Sequence, residues 1–341
     1  MRALLFGLLV WSACSGDDNL PPLTNDTSLK CPAPAGLPFR TDTTGWQTSA
    51  NATLVANDPR NKDESSDLLG NPGGLAANNF LADTDAPSAT TSYHGIKART
   101  TATGGLFATP LPGENVSLWS YDGTAWAEQG HAKTDANGEY DLPTTFIAAN
   151  NHPLYSMLEA DGSCAEHFNL LLPPGSKVVV TDIDGTLTTD DSQELMEIPD
   201  ATYVPLMMGA ANTMLQAWDA KKYPVIYLTA RPQVLREESR GWLRDQSFPT
   251  GPLITAVDVE EAAAYKTLWL KRMVTTFGWV PVAAYGNADT DVTAYANVGI
   301  AKDITFIVGP LGGDGGTVAI PNMDFSAHIT SFIDAQPDNS P

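Results

Sequence analysis

The chain has 341 residues, is 43% hydrophobic and carries 8 tryptophans, enough to bury the cores of about two domains and too apolar for a disordered polymer. Its formal net charge of -21 excludes a surface that binds nucleic acid or an anionic bilayer as a whole, since such binding needs a local basic patch and none is visible. The basic residues that do cluster, Arg231, Arg236, Arg240, Arg244, Lys266, Lys271 and Arg272, all lie in the second half.

In chain order, the first segment reads as an export signal: Arg2, the short apolar run "ALLFGLLVW", then small residues leading to Cys14. Residues 1–14 are therefore set apart from the fold. "WSAC" resembles a bacterial lipobox, with Trp11 where that pattern prefers leucine, and the resemblance implies a lipid anchor at Cys14 and an exported, membrane-anchored lipoprotein. The alternative is an ordinary secretory signal cleaved near Ser15 or Gly16. Either way Cys31 and Cys164 remain, an even pair that forms a disulfide in an oxidising compartment or stays as two thiols.

Residues 15–45 are polar, contain proline and lack periodicity, as a linker does. A β domain is expected over 46–172. Residues 46–90 are rich in turn formers, whereas "ENVSLWSYDGTAWAEQ" predicts two strands around the hairpin turn Asp122-Gly123, and the simplest reading is a small antiparallel β-sandwich. Asp135 and Asn137 beside Gly138 form a plain turn and not a calcium loop, because Lys133 stands where the first ligand belongs.

Beyond Pro173-Pro174 strands and helices alternate. Strands are expected at Lys177–Thr181, Pro224–Leu228, Val282–Tyr285 and Ile304–Val308. Helical periodicity marks "VPLMMGAANTMLQAWDA", "QVLREESRGWLRDQ" and "EEAAAYKTLWLKRMVTTFG", the last ending on a glycine suited to a cap. The fold class is therefore α/β, a doubly wound parallel sheet over 173–336 preceded by the β-sandwich, with 337–341 as a tail.

Ligands of open α/β sheets bind beyond the carboxyl ends of strands, where "VVVTDIDGTLTTDD" puts Asp182 and Asp184. Carboxylates crowded there against mutual repulsion call for a hard divalent cation, Mg²⁺ above all, with oxygen ligands from protein, water and a phosphate. An EF-hand-like loop does not account for them, since Val180 stands five before Gly185, and a helix cap explains one polar residue but not the group.

"DIDGTLT" resembles the nucleophile motif of the haloacid dehalogenase superfamily of phosphohydrolases, and three further segments follow in the order of that superfamily. "YLTARP" (227–232) is similar to its second motif, Lys266 lies in the helix of its third, and "YGNADTDVTAY" (285–295) is similar to its acidic fourth. Within the superfamily the chain looks most like the lipin-type catalytic domain, also called LNS2. That resemblance implies a haloacid dehalogenase-like fold and a magnesium-dependent phosphatidate phosphatase with an immunoglobulin-like β-sandwich beside it.

Carried over by resemblance, Asp182 is the nucleophile that becomes an aspartyl-phosphate, and Asp184 is the general acid and then the base, its pKa held above that of Asp182. Thr229 and Lys266 stabilise the transferring phosphoryl group, and Thr186, Ala230 and Arg231 complete the substrate-binding set. Asp182, Asp184 through its backbone carbonyl, Asn287 and Asp291 form the metal set, Asp291 as ligand or as support for one, with Asp289 a spare. Taken singly, Thr229 is a strand-end hydroxyl and Lys266 a solvated helix lysine.

The chain departs from the lipin pattern at Ala288, where arginine is common, and at Thr229, where serine is usual; Arg231 either reaches the substrate or binds a helix end. The expected partner is a phosphate ester, a phospholipid at a membrane surface first and a soluble phosphomonoester second. A third reading, from LNS2-like domains that only bind lipid, conflicts with the presence of both Asp182 and Asp184.

Overall fold

A computed structural model of the chain describes residues 174–339 apart from 198–202, 233–235 and 257–261, together with β segments between residues 80 and 172. The export signal, Cys14, the linker and Cys31 lie outside the described residues, and so does any Cys31–Cys164 pairing.

Six parallel strands form the main sheet: β1 Lys177–Thr181, β2 Val225–Pro232, β3 Leu253–Ala256, β4 Val280–Gly286, β5 Thr305–Val308 and β6 Val318–Ile320. Their order is β3-β2-β1-β4-β5-β6, so the chain leaves the central β1 first to one side and then to the other. The connections include helices α1 Ser192–Glu197, α2 Ala211–Ala220, α3 Arg236–Asp245, α4 Ala262–Lys271 and α5 Asp289–Asn297.

β1 shows why such a sheet needs cover on both faces. Val178, Val179 and Val180 are fully buried, Val179 in one core with Met214, Trp218 and Phe306, and Val178 and Val180 in the other with Leu270, Met273 and Ala294. Alternating side chains point to opposite faces, so a strand with three consecutive valines at its centre is sheltered on both sides. Each such valine contributes about 1.5 kcal/mol or more by leaving water.

Three differences from the expected elements have physical causes. The helix read over 204–220 starts only at α2, because the preceding segment pairs with the loop after β1: Thr189 N–H donates to Leu206 O at 2.9 Å and Met208 N–H to Leu187 O at 2.8 Å. Ala210, at φ 54, then turns the chain into α2. β3 and β6 were not expected; they are four and three residues long, too short for a periodic signal. The third helix passes into a π turn at Arg272–Thr276 before Gly278, whose φ of +68 reverses the chain.

The predicted hairpin is present as Asn115–Tyr121 paired antiparallel with Trp126–Lys133, and Pro153–Leu158 and Cys164–Phe168 extend it to a four-stranded sheet. The described residues add three two-stranded pairs, two antiparallel and one, Phe80–Leu81 with Leu170–Leu171, parallel, and this pairing falls short of the two facing sheets of the expected sandwich. Residues 337–339, expected as a tail, bond back to the domain: Asn339 N–H donates to Lys221 O at 2.8 Å and Tyr223 O–H to Pro337 O at 3.0 Å.

Candidate active site

At the end of β1 the backbone is still tied to the sheet, Asp182 N–H donating to Tyr285 O at 3.0 Å. It then coils around one carbonyl: the N–H groups of Thr186, Leu187 and Thr188 all reach Ile183 O. Gly185 makes that coil possible with a φ of +63, and a Cβ there would overlap the Asn287 side chain. Asp182 and Asp184 are thereby set on a rigid turn at the mouth of the sheet.

Two ion-pair groups meet at this turn. Lys266, on α4 and 3% exposed, has Nζ 2.9 Å from Asp182 Oδ2 and 2.7 Å from Asp291 Oδ1. Arg231, in β2, grips Asp184 with a fork: Nε donates to Oδ2 at 2.8 Å and to Oδ1 at 3.1 Å, and Nη2 donates to Oδ1 at 2.7 Å. Thr229 O–H reaches Asp184 Oδ2 at 3.4 Å while accepting the Arg231 N–H at 3.1 Å. Ala230 is half-buried between them.

Asp291, in the first turn of α5, has both oxygens engaged. Besides Lys266 it accepts the N–H groups of Asn287 at 3.1 Å and Ala288 at 3.2 Å, so it caps the helix and fixes the loop that carries Asn287. Gly286 permits this, since a Cβ would meet Asp291 Cβ at 2.5 Å. The Asn287 amide lies between Thr186, whose hydroxyl donates to its Oδ1 at 3.3 Å, and Asp191, whose Oδ1 accepts from its Nδ2 at 2.8 Å.

Burial pushes the Asp182 carboxyl up to about 8; the opposing pull of Lys266 is insufficient, and the charges of Asp291 and Asp184 add to the rise. Asp184 has a guanidinium fork to itself, whereas Asp182 shares its lysine with Asp291. Burial by itself would push the Lys266 ammonium down, but Asp182 and Asp291 outweigh it and hold the group above its ordinary value.

Asp182 Oδ1 is buried without a hydrogen-bond partner, a costly arrangement unless something fills it. A hard cation is the natural occupant, so the residues fit one. Among the described residues no three His, Cys, Asp or Glu side chains converge as ligands. A cation here would draw on Asp182 Oδ1, the Asp184 carbonyl and the Asn287 amide, while the Asp291 oxygens are spent on Lys266 and backbone.

The site thus joins Asp182, Asp184, Thr186, Thr229, Arg231, Lys266, Asn287 and Asp291 in one region, although they span 110 positions of sequence. Asp289 is exposed and lines a cleft of about 470 Å³ whose other lining residues include the polar Asn287, Asp190 and Asp191 and the apolar Val308, Pro310, Leu311 and Met323. The sequence reading missed Asp191, which sits in the quoted "TLTTDD" run, and Ser239, whose hydroxyl accepts from Arg231 Nη1 at 2.9 Å.

Residues 179–309 match the family pattern described as PITM 1-3, LNS2 domain. Among curated proteins, the protein retinal degeneration B of Drosophila melanogaster is 29% identical over 192 residues, covering 55% of this chain and 14% of that protein. Membrane-associated phosphatidylinositol transfer protein 1 of Rattus norvegicus is 25% identical over 214 residues, covering 60% of this chain and 16% of its own length. The matched region is thus only 14–16% of the length of these relatives. A solved structure described as a HAD-like phosphatase, from Mesorhizobium loti, is 12% identical with a TM-score of 0.36, covering 48% of this chain and 88% of that one. No helix among the described residues is long and apolar enough to cross a membrane. The part of the chain that holds the site is accordingly similar to an LNS2 domain.

Proposed function

We propose that this chain is a magnesium-dependent phosphatase that works through an aspartyl-phosphate on Asp182, with phosphatidate as its substrate and diacylglycerol and phosphate as its products. One observation carries the reading: Asp182 is buried at the mouth of a parallel sheet with Lys266 on one oxygen and nothing on the other. A structural ion pair would satisfy both oxygens; a nucleophile that shares its site with a cation and a phosphate keeps one open.

Bound Mg²⁺ supplies charge neutralisation, keeping Asp182 ionised and drawing off the phosphoryl charge. Asp182 attacks phosphorus as the leaving alkoxide takes a proton from Asp184, and water then attacks the aspartyl-phosphate as Asp184 takes a proton back. Thr229 and Lys266 would stabilise the phosphoryl oxygens, and Asp291 keeps Lys266 and Asn287 in place.

The lipid assignment is supported by the apolar wall of Val308, Pro310, Leu311 and Met323 beside Asn287, which suits an acyl-bearing leaving group, and by relatives named for phosphatidylinositol transfer. A lipid anchor at Cys14 would hold the enzyme where such substrate is concentrated.

The test is phosphate release by the purified protein with and without Mg²⁺, from phosphatidate vesicles and from soluble phosphomonoesters, with Asp182→Asn as control. Magnesium-dependent release from phosphatidate, lost in the variant, is the expected result. Release from soluble esters alone keeps the mechanism and moves the substrate. Vesicle binding with no release from any substrate makes the domain a lipid-binding module.

A further inference from the structure

We propose that Arg231 is a positioning residue: it holds Asp184 as the base for hydrolysis of the aspartyl-phosphate and does not itself bind the substrate phosphate. The inference rests on the aspartyl-phosphate reading above and assigns the arginine of "TARP" a different partner from the one its place in the motif implies.

Accessibility comes first. The Arg231 side chain is 0% exposed, whereas that of Asp184 keeps 12% of its surface open. Solvent thus touches the Asp184 carboxylate and not the guanidinium. Geometry agrees: Nε and Nη2 both point at the Asp184 carboxylate, and Nη1 is held by the Ser239 hydroxyl at 2.9 Å. A forked guanidinium fixes a carboxylate in both distance and plane, which a lysine in the same place cannot do. Thr229 O–H, 3.4 Å from Oδ2, adds a third restraint.

The fork orients the carboxyl group for the step in which Asp184 receives a proton. Water attacks phosphorus of the aspartyl-phosphate, its proton passes to Asp184, and the bond between phosphorus and the Asp182 oxygen breaks with its electron pair returning to Asp182. Inorganic phosphate leaves, and the proton on Asp184 is the one given to the next leaving alcohol. A carboxylate that wanders loses the water it must activate.

Rapid-mixing kinetics with 4-nitrophenyl phosphate and Mg²⁺ test this, because nitrophenolate leaves without needing a proton, so its first turnover reports formation of the aspartyl-phosphate and later turnovers report hydrolysis. For Arg231→Gln the expected result is a burst of about one nitrophenolate per active site at nearly the wild-type rate, followed by turnover slowed about 100-fold, the scale of a lost general base. Arg231→Lys should fall between, and Ser239→Ala should show the same pattern more weakly. Burst amplitude counts folded sites, so poor folding of a variant does not hide the ratio of the two rates.

A burst slowed as much as turnover, with a raised KM, would mean that Arg231 holds the phosphate and would overturn the inference. A smaller burst with normal turnover per site would reduce Arg231 to a structural residue and also overturn it. If the wild type releases nothing from any phosphate ester, the aspartyl-phosphate reading falls first and this inference with it.

Discussion

Lys266 Nζ lies 2.9 Å from Asp182 Oδ2, and the same ammonium lies 2.7 Å from Asp291, so one buried cation answers two buried carboxylates. Removing it leaves the buried Asp291 carboxylate without its cation and strips Asp182 of its one side-chain partner. Lys266→Met should therefore lower stability by about 3 kcal/mol or more, readable as a shift of the urea midpoint at unchanged slope, and abolish turnover. A midpoint equal to the wild type would show that the trio contributes nothing to folding.

The raised Asp182 carboxyl gives a pH dependence of defined sign. The folded chain keeps this proton up to about 8, while the unfolded chain releases it near 3.8, so stability supplied by the neutral form is full below pH 4 and is lost as pH rises toward 8. Without metal, wild-type stability should fall over that interval more than that of Asp182→Asn. Added Mg²⁺ should reverse the trend, since it binds the ionised form, and its apparent affinity should drop as pH falls below 8. Parallel pH curves for the two proteins would contradict the assignment.

Much of this is legible in the sequence. Three valines ahead of Asp182 mark a doubly covered strand, and β1 has the bounds read from sequence. Order of motifs along a parallel sheet also implies convergence, because each strand delivers its last residues to the same edge. Partner choice was not legible. Nothing in "TARP" tells whether the guanidinium faces solvent or Asp184, and nothing in "TTDD" tells that Asp191 holds Asn287. The apolar spacing of "VPLMMGA" reads as helix, yet its backbone bonds go to the loop after β1, a tertiary pairing that local periodicity cannot encode.

Asp191 orients a candidate metal ligand, and Gly185 gives it room. Gly185→Ala meets both an unfavourable φ and the Asn287 side chain, so it should cost about 1–3 kcal/mol and raise the Mg²⁺ concentration for half-maximal activity. Asp191→Ala, with its carboxylate largely exposed, should leave folding nearly unchanged and raise the same Mg²⁺ requirement about 10-fold, whereas Asp191→Asn, which keeps an acceptor oxygen, should restore most of it. A magnesium titration of the three variants decides this; unchanged half-saturation in Asp191→Ala would remove Asp191 from the site.

His328 is buried against Phe306 and Phe332, with its Nε2 2.9 Å from the Tyr285 hydroxyl, whose oxygen accepts from Trp218 Nε1 at 2.7 Å. Burial lowers its pKa to about 4, so the unfolded chain takes up a proton near 6.5 that the folded chain refuses. Stability is thus lost as pH falls from about 6.5 to 4, by at most about 3 kcal/mol. His328→Gln should be less stable at neutral pH and flatter across that interval in thermal unfolding; an unchanged acid slope would refute the contribution.

The most direct test of the central claim is to look for the phosphoryl group on Asp182. Protein quenched during turnover of a phosphate ester with Mg²⁺ should carry one phosphoryl group on the peptide containing "VVVTDIDGT", lost on hydroxylamine treatment and absent from Asp182→Asn. Phosphate release that proceeds with no such adduct, or that survives in Asp182→Asn, would contradict catalysis through Asp182.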